Sequence, residues 1–290
     1  MPIQAIAQST EQGYSYNMST IRLIALDMDD TLLRSDLTIS YRTRNVIKRA
    51  ESAGTVITLA TSRVPSVMER FIKLLGLNKK SGYLISNNGA LIQESDTGKI
   101  IHETRLEPEI ARIICDLADA EGFPVQLYED DVMYVSRENE FSAYDQRLTG
   151  LRQVVVDNFR EMIGKGCHKL FIPGDPMLLE PLEDILHAYL EHDITLFSGK
   201  KYFLEILPKD TNKGNALAKI AESLGINSEE TIAIGDSIND EAMIKWAGLG
   251  VAMINGDDHI KSIANIITEN SNDDDGVADI IDKYILGKDG

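Results

Sequence analysis

The chain has 290 residues, 43% of them hydrophobic, which is enough to bury the core of one large domain or two modest ones. A formal net charge of -17, without any Lys/Arg-rich run, argues against binding to nucleic acid or to an anionic membrane surface. No apolar run approaches the roughly 18 residues of a membrane span, and the two cysteines have no CxxC partner, so we expect a cytoplasmic protein.

Residues 1–20 are polar and aperiodic. They lack the basic start and apolar centre of a secretory signal. We therefore expect a disordered or extension tail, with Met18 as a second candidate for the first residue.

From residue 21 onward, short apolar segments alternate with helical patterns. The predicted strands are "LIAL", "TVITLA", "YLIS", "TIAIG", "GVAM" and "NIIT". The predicted helices include "ISYRTRNVIKRAESAG", "VPSVMERFIKLLG", "NKGNALAKIAESLG", "DEAMIKWAG", "DDHIKSIA" and a closing helix near residues 276–286. Strands with continuous apolar character, alternating with helices, predict an α/β fold with a Rossmann-like, doubly wound parallel sheet.

The middle of the chain has a different pattern. Segments such as "VQLYEDDVMYVSR" and "LIQESDTGKIIHE" indicate hairpins, and "EPEIARIICDLADAEG" indicates an amphipathic helix. We therefore predict a core formed by residues 21–89 and 206–290, interrupted by an inserted α+β domain at residues 90–205.

Chemically active side chains come directly after the predicted parallel strands. Such a sheet binds its ligands at the carboxyl ends of its strands. The residues there are Asp27, Asp29, Asp30 and Thr31; Thr61, Ser62 and Arg63; Asn87 and Asn88; and Asp236, Ser237, Asn239 and Asp240. Lys213 begins the helix that precedes the strand "TIAIG".

The negative charge of four aspartates at one sheet edge requires a positive charge nearby. Two unit charges about 4 Å apart repel by roughly 4 kcal/mol at an effective dielectric constant of about 20. Because the surrounding donors are oxygens, we expect the cation to be Mg²⁺. Together with Lys213, Mg²⁺ would hold a phosphoryl group for attack by a carboxylate, a second acid would exchange protons, and Thr61 and Asn88 would supply hydrogen bonds.

The segments "DMDDTL", "ATSR", "NKG" and "GDSIND" resemble, in order, the four motifs of the haloacid dehalogenase (HAD) superfamily of phosphohydrolases. "SNNGA", "LEILPKDTNKGNAL" and "DDDGVADII" are similar to its Cof-type, class IIB sugar-phosphatase branch. Two positions depart from the usual second motif of this branch, since Ser62 replaces a glycine and Val64 a proline.

The resemblance implies a role for each motif residue. It implies that Asp27 is the nucleophile and Asp29 the general acid/base, with Thr61 on the phosphoryl oxygens and Lys213 orienting Asp27. It implies Mg²⁺ bound by Asp27, the backbone carbonyl of Asp29, and Asp236, with Asp240 behind these ligands. Further expected contacts to substrate or phosphate are Ser62, Arg63, Asn88 and Asn239. The inserted domain would be a cap of the C2B type that closes over the site.

The leading hypothesis is an Mg²⁺-dependent phosphatase that hydrolyses small phosphorylated metabolites, with sugar phosphates the first choice, through an aspartyl-phosphate. The expected partner is a small phosphate ester, with the chain a monomer or weak homodimer. Two alternatives stay open: a phosphomutase of the same superfamily, and a receiver-like signalling protein that keeps phosphate on an aspartate.

Overall fold

The computed structural model describes residues 21–79, 82–129, 131–200 and 202–287, without the side chains of 198–200. The predicted tail and Met18 lie outside these ranges. The described strands are β1 (Leu23–Asp27), β2 (Val56–Ala60), β3 (Tyr83–Ser86), β4 (Leu91–Glu94), β5 (Ile100–Glu103), β6 (Gln126–Glu129), β7 (Val132–Val135), β8 (Arg152–Val155), β9 (Leu170–Pro173), β10 (Ile194–Lys200), β11 (Phe203–Pro208), β12 (Thr231–Gly235), β13 (Leu249–Ala252) and β14 (Ile266–Ile267).

The helices connect these strands in the order that the sequence pattern predicts for the α/β part. They are α1 (Tyr41–Ser52), α2 (Pro65–Leu75), α3 (Pro108–Ala120), α4 (Glu140–Thr149), α5 (Phe159–Met162), α6 (Pro176–Leu190), α7 (Lys213–Leu224), α8 (Glu241–Trp246), α9 (Asp258–Ile263) and α10 (Gly276–Tyr284). Within the described ranges, no helix has the length and apolar character that a bilayer crossing requires.

The strands of the described residues form two sheets. The larger has the order β14-β13-β12-β1-β2-β3-β4-β5 and is parallel from β14 to β3, with β4 and β5 added antiparallel at one edge. The smaller has the order β10-β11-β9-β6-β7-β8 and is antiparallel except for the β7–β8 pair. This arrangement confirms the predicted α/β class with an inserted α+β unit.

Strand β1 lies at the centre of the larger sheet and is buried on both faces, as its apolar sequence predicts. Ile24 and Leu26 pack with α1, α2 and α10 on one face, whereas Leu23 and Ala25 pack with α7 and α8 on the other. This alternation is the two-residue period of a strand, and it produces three layers, helix on sheet on helix. Asp27, the last residue of β1, is therefore delivered to the sheet edge from a rigid element.

The side chains of the smaller sheet alternate between its two faces with the same period. Leu204 and Ile206 of β11, with Leu170 and Ile172 of β9, pack against α3 and α6. The residues between them, among them Glu205, point to the opposite face. We call the larger sheet with its helices the core and the smaller sheet with α3–α6 the cap.

The sheet pairing differs from the predicted domain boundaries at two places. Residues 91–103 were placed in the inserted domain, but they form β4 and β5 of the larger sheet. Residues 206–208 were placed in the core, but they end β11 of the smaller sheet. A hairpin or strand has the same local pattern whichever sheet it joins, so the sequence alone did not distinguish these pairings.

Candidate active site

The sheet order itself assembles the site. Strand β1 pairs in parallel with β12 on one side and with β2 on the other. Asp27 ends β1, Asp236 follows β12, and Thr61 follows β2. The carboxyl ends of neighbouring parallel strands share one sheet edge, so these three side chains meet there.

Lys213 joins two carboxylates at this edge. Its Nζ donates to Asp27 Oδ1 at 2.5 Å and to Asp240 Oδ1 at 2.6 Å, and the lysine side chain is completely buried. Asn212 caps α7 by accepting a hydrogen bond from the Asn215 backbone N–H, so Lys213 sits in the first turn of a fixed helix. Its position is set by backbone structure and not by a flexible loop.

The loop after β3 packs tightly against that helix start. Gly89 has φ 103°, and a Cβ at this residue would lie 2.3 Å from the carbonyl oxygen of Asn212. Only glycine allows this approach without displacing the residue before Lys213.

Asp240 is held on both of its oxygens. Oδ1 accepts from Lys213, and Oδ2 accepts from the backbone N–H groups of Asp236 and Ser237 at 3.0 and 3.1 Å. Asp240 therefore shapes the loop that carries Asp236.

Burial and the charges of neighbouring side chains shift the pKa values of the site's carboxylates. Burial, followed by the charge of Asp240, raises the pKa of Asp27 well above its usual value, and Lys213 offsets this only in part. Burial and Asp240 also raise the pKa of Asp236 to about 7. Burial opposes the Lys213 ammonium, but Asp240 and Asp27 outweigh it and raise the pKa of Lys213. One ammonium among three carboxylates leaves excess negative charge.

A cation suits this donor set. Oxygens of Asp27, Asp236 and Asp240 lie within 4.8 Å of one another. Both oxygens of Asp240 accept the hydrogen bonds described above, whereas Asp27 and Asp236 each accept theirs on Oδ1. Asp27 and Asp236 are therefore the carboxylates best placed to bind an ion. All-oxygen donors with a net negative charge fit a hard divalent cation.

The first-motif loop brings two further residues to the site. The hydroxyl of Thr31, which the sequence analysis did not assign, donates to Asp236 Oδ1 at 2.8 Å. Asp30 has φ 58°, a left-handed conformation that glycine adopts freely and aspartate tolerates. Its carbonyl accepts from Asn255 Nδ2 at 2.7 Å, which fixes the loop.

The side chain of Asp29 pairs with Arg63 and lies outside the Asp27, Asp236 and Asp240 group. Arg63 Nε donates to Asp29 Oδ2 at 2.8 Å, and Nη2 donates to Oδ1. The hydrogen bond to Asp29 raises the pKa of Arg63. The structure thus places Arg63, predicted to contact substrate, on the predicted acid/base residue.

Two cap residues reach into the core loops. Lys169 Nζ donates to the backbone carbonyl of Ser62 at 2.7 Å and to Glu205 Oε2 at 3.1 Å. Glu205 Oε2 also accepts from Asn88 Nδ2 at 2.9 Å. Asn239 Nδ2 then donates to Asn88 Oδ1 at 3.2 Å, so a chain of hydrogen bonds runs from the cap to the loop after β12.

The predicted site residues thus lie close together, but their side chains have different hydrogen-bond partners. Thr61 is buried and its hydroxyl accepts from the Arg63 backbone N–H at 3.1 Å. The sequence analysis missed Lys169 and Glu205. Glu205 did carry a signal, as a lone acid in the apolar strand "FLEILP", whereas Lys169 carried none.

The chain is similar to known proteins along most of its length. A family model described as haloacid dehalogenase-like hydrolase matches residues 24–281. In Bacillus subtilis, the 5-amino-6-(5-phospho-D-ribitylamino)uracil phosphatase YcsE is 34% identical, covering 92% of this chain and 96% of its own. Phosphatase YwpJ of the same organism is 30% identical, covering 92% of this chain and 100% of its own.

A solved haloacid dehalogenase-like hydrolase from Bacteroides thetaiotaomicron is similar in structure, with a TM-score of 0.84 and 31% identity over 91% of this chain and 99% of that one. The family generally uses a divalent metal, and the acidic cluster here fits one. The chain therefore belongs to the haloacid dehalogenase-like hydrolases, within their Cof-type branch, and is an enzyme of the phosphatase class.

Proposed function

We propose that the protein is an Mg²⁺-dependent phosphatase of small phosphorylated metabolites, sugar phosphates first, that works through an aspartyl-phosphate on Asp27. The observation that carries this proposal is the buried Lys213 between Asp27 and Asp240, with Asp236 alongside. Positive charge at this point supports both an ionised Asp27 and a phosphoryl group beside it.

In the first step, an oxygen of Asp27 attacks phosphorus, and the bond from phosphorus to the alcohol oxygen breaks. Asp29 in its protonated form gives its proton to that oxygen, so the alcohol leaves neutral. In the second step, a water oxygen attacks phosphorus, Asp29 takes the proton of that water, and the bond from phosphorus to Asp27 breaks. Asp27 is regenerated and inorganic phosphate leaves.

The pairing of Asp29 with Arg63 describes the state before the first step. In that position Asp29 is a carboxylate held by a guanidinium. To act as proton donor it leaves Arg63 and carries a proton. Arg63 then turns its donors to the phosphoryl group that is transferred, which is the substrate contact expected from the resemblance.

Asp27, Asp236 and the backbone carbonyl of Asp29 would hold Mg²⁺. When bound, the ion supplies positive charge to the phosphoryl oxygens and to the crowded carboxylates. Thr61, Ser62, Asn88 and Asn239 surround the same edge and would donate hydrogen bonds to the substrate or its phosphoryl group. Asp240 and Lys213 position Asp236 and Asp27.

We propose that the cap closes over this edge to exclude water and select the leaving group, with the chain acting in the cytoplasm as a monomer or weak homodimer. The contacts of Lys169 with Ser62 and of Glu205 with Asn88 support closure, because they join the cap to the core loops after β2 and β3, beside the site. The buried, free thiols of Cys115 and Cys167 suit a reducing compartment.

The test is release of inorganic phosphate from p-nitrophenyl phosphate and from a panel of sugar phosphates. We expect turnover with MgCl₂, loss of turnover in EDTA, and recovery when Mg²⁺ is returned in excess. Turnover that is unchanged after chelation would contradict the metal requirement. Isomerised sugar phosphate without phosphate release would instead identify a phosphomutase.

A further inference from the structure

A small pocket lies between Asp29 and the cap. Asp29, Ser62 and Arg63 line it from the core, and α4 with the open face of the smaller sheet lines it from the cap. Its volume is about 70 Å³. A leaving alcohol must lie beside the group that protonates it, so under the proposed function this pocket receives the leaving group.

One wall of the pocket is apolar. The rings of Phe171 and Phe203 meet edge to face with centroids 6.4 Å apart, and Tyr128 meets Phe171 in the same way at 5.1 Å. Leu148 and Val67 extend this wall. Such a surface packs against the C–H face of a sugar or polyol and offers no favourable contact to an anionic group.

The two charged groups that the cap contributes to the pocket are carboxylates. Glu205 is 5% exposed and Asp145 is 7% exposed, and both line the pocket. A carboxylate can only accept hydrogen bonds. Tyr128 turns its hydroxyl hydrogen toward Asp145 Oδ2, so the phenol does not offer that hydrogen to a ligand.

Among the described residues, the two cations beside the pocket, Arg63 and Lys169, already donate to other groups. Arg63 gives two donors to Asp29, and Lys169 gives donors to Glu205 and to the Ser62 carbonyl. Burying a ligand carboxylate here would bring it against Asp145 and Glu205 with these cations already paired. A ligand that brings hydroxyl or amino hydrogens meets acceptors instead.

We propose, on the basis of the function proposed above, that this pocket selects phosphate esters whose leaving group carries hydrogen-bond donors and no negative charge, and that Asp145 and Glu205 are the specificity-determining residues. Esters of neutral polyols and sugars are substrates, and esters whose leaving group bears a carboxylate or a second phosphate are rejected. A site built to accept hydrogen bonds discriminates strongly, because mismatched polar groups are left unpaired on burial.

The experiment compares kcat/KM within pairs of similar size: glucose 6-phosphate with 6-phosphogluconate, and glycerol 3-phosphate with 3-phosphoglycerate. We expect at least a tenfold preference for the neutral member in both pairs. In Asp145→Asn, we expect the preference to fall about fivefold or more, because the amide adds a donor. Glu205→Gln is the second variant, with the same expectation.

The matched control is Asp116→Asn, which makes the same change at an exposed carboxylate of α3 that pairs with Arg160. This control should keep the wild-type ratio. Equal kcat/KM within both pairs for the wild-type enzyme, or a ratio that the two pocket variants leave unchanged, overturns the inference. Hydrolysis of p-nitrophenyl phosphate distinguishes failure of the selectivity inference from failure of the proposed function. If this ester is hydrolysed while kcat/KM is equal within both pairs, only the selectivity is wrong. If no ester is hydrolysed, the proposed function fails.

Discussion

Lys213 is the side chain on which the site's electrostatics depend. It is a fully buried lysine, held by two carboxylates from β1 and from the loop after β12. A buried ammonium is costly unless it is paired, and here the cost of burying Lys213 and the repulsion between the aspartates offset each other.

Replacing this lysine should damage both stability and turnover. In Lys213→Met, Asp27 and Asp240 lose their shared cation, so we expect the free energy of unfolding to fall by about 3 kcal/mol in EDTA. Added Mg²⁺ should restore part of that loss, because it binds the folded state and offsets the same charges. Turnover should fall by roughly 10³-fold.

Urea denaturation with and without Mg²⁺, together with phosphate release, measures these effects. Lys219→Met, an exposed lysine on the same helix, is the control and should change neither quantity. A Lys213→Met protein as stable and active as the wild type would show that the carboxylates need no cation.

At the scale of elements, β9 and β11 connect the cap to the catalytic loops. Lys169 comes just before β9 and Glu205 lies within β11, and both contact core loops through hydrogen bonds. We expect Lys169→Met to lower kcat/KM for a sugar phosphate by about tenfold, because the Ser62 loop loses its buried donor.

Steady-state kinetics checks this, with Lys165→Met as the control. Lys165 is an exposed cap lysine four residues earlier in the chain, and its replacement should leave kcat/KM at the wild-type value. Equal kinetics for the two variants would argue against a role of the cap contact in turnover.

A second contact between elements stabilises the fold away from the site. Asp275, at the start of α10, accepts hydrogen bonds from the hydroxyls of Ser40 and Thr43 at the start of α1 and pairs with Arg34. Partial burial opposes the carboxylate, but the two hydroxyls and Arg34 outweigh it, so the pKa of Asp275 lies below its usual 3.8.

A lowered pKa gives this contact a defined pH dependence. The stabilisation is fully present above the unfolded-state pKa and is lost as the pH falls through the lower folded-state pKa. Asp275→Asn should therefore cost about 1 to 2 kcal/mol at pH 7, and the cost should shrink as the pH is lowered below 4. Asparagine also tolerates the left-handed φ of 67° at this position.

Urea unfolding at pH 7 and at successively lower pH measures the difference from wild type. Asp274→Asn, an exposed neighbour that bonds only to Ser271 among the described contacts, is the control and should cost less. A cost for Asp275→Asn that is independent of pH would show that its charge is not what stabilises the contact.

At the scale of the whole molecule, the parallel sheet was the part most accessible to sequence reasoning. Strand-end residues such as Asp27, Thr61 and Asp236 are predicted to share an edge because parallel strands of one sheet end at the same side. In the structure β1 pairs with both β2 and β12, so these residues are neighbours. Local apolar runs and helix caps were sufficient for this, because each βα unit has its own pattern.

The contacts between cap and core could not be predicted from the sequence in the same way. Lys169 lies 107 residues from Ser62 and Glu205 lies 117 residues from Asn88. The pairing of Asp29 with Arg63 likewise depends on how two loops approach each other. No local pattern encodes contacts between residues so far apart in the sequence. The lone acid Glu205 in an apolar strand indicates a buried polar contact, but it does not identify the partner.

The role of Asp27 as the group that receives phosphate is tested most directly by rapid mixing of Asp29→Asn with p-nitrophenyl phosphate and Mg²⁺, followed by acid quench and peptide mass spectrometry. p-Nitrophenolate leaves without a proton, but attack by water lacks its base, so the phosphorylated enzyme should accumulate. We predict a burst of about one p-nitrophenolate per enzyme and a single phosphoryl group on Asp27, absent from the double variant that also carries Asp27→Asn. Phosphate release without any phosphorylated peptide, or a phosphoryl group on another residue, would contradict the role of Asp27.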